Sequence, residues 1–95
     1  MEATVLIQWE NRPEAQFIWP PLGQYVCLVR FNEDTSDWPN KCWTLVVNCV
    51  EVRENGFWEA TIRFIADGAP THYFYPGSRF QLYEVWDVVA SGEVI

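Results

Sequence analysis

The sequence predicts one all-β domain, a barrel or a sandwich, and three observations carry that reading. Hydrophobic residues recur at period two through most of the chain, and nowhere at the three-and-four spacing of a helical stripe. Turn-forming pairs, Pro20-Pro21, Asn55-Gly56, Asp67-Gly68 and Pro76-Gly77, cut the chain between those runs. The 95 residues, 49% hydrophobic and 17% aromatic, suffice for one core but not for a catalytic domain with a regulatory one beside it. Residues 1–95 are therefore read as a single domain without internal repeats.

Ala3 to Trp9 sets Val5, Ile7 and Trp9 against Thr4, Leu6 and Gln8, which makes a first strand. Glu10 to Gly23 is a long connection, because Pro13, Pro20 and Pro21 lack the N–H a regular helix needs. Its Phe17, Ile18 and Trp19 are expected to pack back over a barrel end. Gln24 to Phe31 alternates Tyr25, Cys27, Val29 and Phe31 with Val26, Leu28 and Arg30, a second strand. Asn32 to Asn40 is a polar, acidic loop.

Cys42 to Arg53 is a long β-branched run whose apolar face changes near Asn48, from Trp43, Leu45, Val47 and Cys49 to Val50 and Val52. A bulge or bend there, as at a barrel corner, produces such a change. Asn55-Gly56 is a hairpin signal, since a type I′ turn needs positive φ at both central residues. Phe57 to Ala66 follows as a half-buried strand with Trp58, Ala60, Ile62 and Phe64 on its apolar face. Thr71 to Tyr75 is read as a short edge strand, and the last twenty residues as a Pro-Gly turn and a closing hairpin.

Those last residues carry a resemblance. Pro76, Gly77, Arg79, Phe80, Leu82 and Glu84, followed by Val88, Ala90, Gly92 and Val94, resemble the closing hairpin of the C-terminal β-barrel domain of elongation factor Tu. The resemblance implies a small six-stranded antiparallel barrel over nearly the whole chain. In that factor the barrel does no chemistry; it helps hold aminoacyl-tRNA and contacts partner proteins. The phosphate-cradling loop of the factor's GTPase domain has no counterpart here, so GTP hydrolysis is not implied. Val85-Trp86 stands where the family's turn usually has two glycines.

Thirteen acidic against six basic side chains leave a net charge of −7, which repels nucleic acid and anionic membrane surfaces and favours encounter with a basic protein. The start of the chain lacks a basic n-region, and no apolar run approaches the roughly 20 residues that cross a bilayer, so a cytoplasmic protein is expected. Cys27, Cys42 and Cys49, an odd number without regular spacing, are expected to be free thiols. With one histidine, His72, and no paired-cysteine motif, no metal or cofactor is expected. Glu33, Asp34 and Asp37 lack the spacing and glycine of a calcium loop. Carboxylate pairs such as Glu51 and Glu59, which can meet across the Asn55-Gly56 hairpin, are material for acid–base work, and surface charge accounts for them more simply.

Trp9, Trp43 and Trp58 lie on strand faces and are assigned to the core. Trp19, Trp38 and Trp86 fall in loops or turns, where a large ring either plugs a barrel end or anchors a partner. Together with Asp34 and Asp37 they form the candidate partner-binding set of a non-enzymatic module. Two alternatives remain: a small-ligand or carbohydrate-binding barrel with Trp19, Trp38 or Tyr25 as stacking platform, and a small hydrolase using clustered carboxylates.

Overall fold

Alternation becomes pairing in six strands: β1 (Ala3–Trp9), β2 (Gln24–Phe31), β3 (Trp43–Val52), β4 (Phe57–Phe64), β5 (Arg79–Glu84) and β6 (Asp87–Val94). They are seen in a computed structural model that describes residues 1–10, 23–34, 43–53, 56–84 and 87–95. The strands form a closed antiparallel barrel in the order β1-β4-β3-β2-β5-β6, with β6 returning to β1. Closure leaves none of the six with a free edge.

The inward residues are those the period-two pattern selects. Val5, Ile7, Cys27, Val29, Phe31, Leu45, Val47, Ala60, Ile62, Phe80, Leu82, Ala90 and Val94 are buried in one cluster. Trp9 and Trp43 pack against it, while Trp58 is half-buried opposite Val52.

Two bulges set the phase of the strands. On β3, Cys49 pairs with Ala60 and Glu51 with Glu59, so Val50 is an extra residue. The bulge falls two residues beyond the expected Asn48, and it turns Glu51 outward beside Glu59. Val50 and Val52 do not become core: they are 60% and 58% exposed, because β3 here runs past the packed interior. On β6, Leu82 pairs with Ala90 and Tyr83 with Val88, which leaves Val89 as the extra residue. Val89 and Ala90 are consequently both buried, and the Val89 carbonyl accepts the Glu10 N–H at 2.8 Å.

Gly56 closes the β3–β4 hairpin at φ +77°, a left-handed conformation costly for residues with a Cβ; Asn55 lies outside the described residues. Gly92 is needed for a different reason. It faces Phe80 across β5 and β6, and a Cβ there would sit 2.5 Å from the ring's Cζ and 2.9 Å from the Leu6 carbonyl oxygen.

The expected edge strand at Thr71–Tyr75 is instead a 3-10 turn, Thr71–Tyr73. A closed barrel offers no edge for it to join, and Tyr73 and Phe74 pack against the core cluster instead.

Candidate functional site

Strand direction assigns each connection to an end. Trp9, Gln24, Val52, Phe57, Glu84 and Asp87 mark one end, called here the Trp9 end; Ala3, Phe31, Trp43, Phe64, Arg79 and Val94 mark the other, the Phe31 end. The strand termini flanking Trp19 and Trp86 are thus at the Trp9 end, and those flanking Asp34, Asp37 and Trp38 are at the Phe31 end. Trp19, Asp37, Trp38 and Trp86 themselves lie outside the described residues, as do Phe17, Ile18 and Cys42. Of the predicted partner-binding set, Asp34 is described: it is half-buried just beyond β2, and its N–H bonds the Phe31 carbonyl at 2.9 Å.

Rings fill the Phe31 end. Phe31 stacks on Tyr73 at 5.0 Å and lies 5.4 Å from Phe80; Phe64 stacks on Phe74 at 5.1 Å. Such contacts add to the apolar area they bury. Asp34 and Glu33 approach from the loop after β2. Desolvation first, then these two carboxylates, hold the Tyr73 hydroxyl above its ordinary pKa. His72 beside it, Tyr75 and Ile65 are exposed. The result is an aromatic end with carboxylates at its margin. The sequence hid Tyr73 and Phe74 as plugs because their stretch of strand-forming residues reads as an edge strand, and only the closed topology leaves it no strand to pair with.

The described residues of the Trp9 end make a different arrangement. Trp9 meets Tyr25 edge-on at 5.7 Å, and the Tyr25 hydroxyl donates to Glu84 Oε2 at 2.8 Å. Cys27 lies deeper as a free thiol whose pKa is pushed up to about 12, mainly by burial and then by the Glu84 charge. Cys49, half-buried and also free, is raised by burial alone. Thiols held neutral in this way pack as small apolar groups and do not attack.

Glu51 and Glu59 do meet, as register partners, but Arg53 sits between them: its guanidinium donates to Glu59 Oε1, and its Nε lies 3.4 Å from Glu51 Oε1. A guanidinium between two surface carboxylates offsets much of their mutual repulsion, the arrangement of a surface ion pair. Among the described residues no group of three His, Cys, Asp or Glu is placed to hold a metal ion, and no helix is long and apolar enough to cross a membrane.

Two shallow cavities open on the outer wall of the barrel, of about 350 and 510 Å³, and Leu6 and Phe57 line both. The smaller lies over β5, β6 and β1 and is walled by Arg79, Gln81, Ser91 and Glu93; the larger adds Val52, Arg53 and Ile95. The sequence does hold a signal for this surface. Leu6 and Phe57 are apolar residues on the outward phase of their strands, where a half-solvated sheet ordinarily carries polar groups. No protein family, curated protein or solved structure matches the chain.

Proposed function

We propose that the barrel is a non-enzymatic docking module whose Phe31 end receives a basic protein surface. The observation that carries this reading is the cluster at that end: half-buried Tyr73 and exposed Tyr75 on one connection, Glu33 and Asp34 on the other, in a chain of net charge −7. Aromatic area supplies affinity, and the carboxylates steer encounter and disfavour acidic competitors. Asp37 and Trp38 follow Asp34 in the same connection and extend the proposed surface; Trp19 and Trp86, flanked by strand termini of the opposite end, belong to a second contact or to end closure.

We further read the barrel as one of elongation factor Tu C-terminal type. The support is that the residues of the resemblance fall on neighbouring strands, with Phe80 facing Gly92 and Leu82 facing Ala90. In this reading the module keeps the protein-contact role of that domain without its tRNA, which the acidic balance opposes.

Affinity capture from host lysate, with wild type beside a Glu33→Lys/Asp34→Lys variant of unchanged circular dichroism, tests the docking reading. The expected result is a basic partner whose retention falls with added salt and is lost with the charge reversal. A partner that the variant still retains, or that Trp86→Ala loses and Trp38→Ala keeps, moves the surface away from the Phe31 end and ends this reading.

A further inference from the structure

The outer-wall cavity over β5, β6 and β1 shares Phe80 with the ring cluster but opens on the outside of the barrel, and its polar wall asks for a different ligand. We propose that it is a binding site for a neutral, polyhydroxylated ring, a single sugar unit, seated against Phe57 and Leu6 and hydrogen-bonded by Gln81, Ser91 and the Arg79–Glu93 pair. This site goes beyond the docking reading and stands or falls separately.

The charges of the wall select the ligand. Arg79 Nε donates to Glu93 Oε1 at 3.1 Å, so the two groups neutralise one another. An anion attracted by the guanidinium meets the carboxylate beside it, and a cation drawn by the carboxylate meets the guanidinium. A neutral molecule meets neither penalty. It finds a planar fork of further N–H donors next to carboxylate acceptor sites, an arrangement suited to adjacent hydroxyls that each give and take one hydrogen bond.

Gln81 is oriented in advance. The Tyr83 hydroxyl, two residues along the same face of β5, donates to Gln81 Oε1 at 3.0 Å, which fixes the amide and leaves its NH₂ as the group to donate. Ser91, the register partner of Gln81 on β6, supplies a hydroxyl that works in either sense. Phe57 and Leu6 complete the lining with apolar surface for the C–H face of a sugar ring. The cavity of about 350 Å³ is near the lower bound of small-molecule sites, so one ring fits and a long chain does not. A fatty or extended aromatic ligand would strand the polar groups of the wall without partners.

The test is a titration of isotope-labelled protein with glucose, galactose and N-acetylglucosamine, followed by backbone amide shifts, with inorganic phosphate as a charged control. Saturable shifts at Leu6, Gln81, Ser91 and Gly92 are expected for at least one sugar in the millimolar range. Phosphate is expected to shift none of them saturably. Gln81→Ala should weaken the responding sugar by about tenfold, and Glu93→Gln, which keeps the shape of the wall, should let phosphate bind while weakening the sugar. Absence of a saturable shift with all three sugars overturns the proposal. So do sugar shifts that Gln81→Ala leaves unchanged, and phosphate binding to wild type at the same residues.

Discussion

At the Phe31 end the ring of Phe31 packs against Tyr73, Phe64, Phe74 and Phe80, whereas at the Trp9 end one tryptophan meets one tyrosine edge-on and the tyrosine is tied to a carboxylate. Among the described residues the first end is closed mainly by area and stacking, and the one shift there is that of the Tyr73 hydroxyl, held above its ordinary pKa by burial, Asp34 and Glu33. The second combines a hydrogen bond to Glu84 with a buried thiol, Cys27, whose neutrality depends on pH. Among the described residues, then, ring stacking dominates one mouth and a hydrogen bond beside a buried thiol the other.

The largest effect that would break this contrast is at Phe31. Phe31→Ala removes the ring on which the stack converges, and a loss of about 3–5 kcal/mol in urea unfolding is expected. A loss below about 1 kcal/mol would mean that the neighbouring rings close the end without it.

Next in size is an alkaline effect at the other mouth. The folded-state pKa of Cys27 lies above its ordinary 9, so the neutral thiol's contribution is whole below pH 9 and is lost as pH rises toward about 12. While only the unfolded thiol is ionised, the loss is about 1.4 kcal/mol per pH unit. Cys27→Ala, whatever it costs at neutral pH, should fall less steeply over that window when its unfolding midpoint is followed against pH. Parallel curves for the two proteins would place the pH sensitivity elsewhere.

The smallest effect is that of Tyr25→Phe. It keeps the edge-on ring and removes only the exposed hydrogen bond to Glu84, for an expected cost of about 0.5–1 kcal/mol by the same unfolding assay. A cost comparable with that of Phe31→Ala would erase the distinction between the ends.

The sequence disclosed most of the wall and little of the stoppers. In β1 and β4 one face is apolar and the other largely polar, so period two separates Val5 from Thr4 and Ala60 from Thr61, whereas β2 also carries Val26 and Leu28 on its outward face. β3 was harder, because a run of β-branched residues reads as apolar on both faces. The bulge was legible as a change of phase; its place at Val50, and the exposure of Val52, depend on where the core stops. Thr71–Tyr75 has strand-forming residues but no free neighbour to pair with, and that fact belongs to the closed topology and to no local stretch. The same holds for the wall cavity: Gln81, Ser91 and Glu93 become neighbours only through the pairing of β5 with β6. Asp34 lies at the aromatic end for a local reason, since it directly follows the strand that ends in Phe31.

Closure of the barrel has a kinetic consequence. The last seam joins the first strand to the last, with Val5 opposite Val94 and the Ile95 N–H bonded to the Thr4 carbonyl at 2.9 Å. Such pairing between distant parts of a chain is slow, because the entropy of a very long loop is lost before any contact compensates it. Until β6 arrives, β1 and β5 each hold a row of unsatisfied backbone donors and acceptors, with Val5, Ile7, Phe80 and Leu82 uncovered beside them. Of the six strands β6 is made last, so a chain that pairs the other five first passes through that state. The hazard of strand-to-strand aggregation therefore belongs to the nascent chain and to refolding at high concentration, and it ends when the seam shuts.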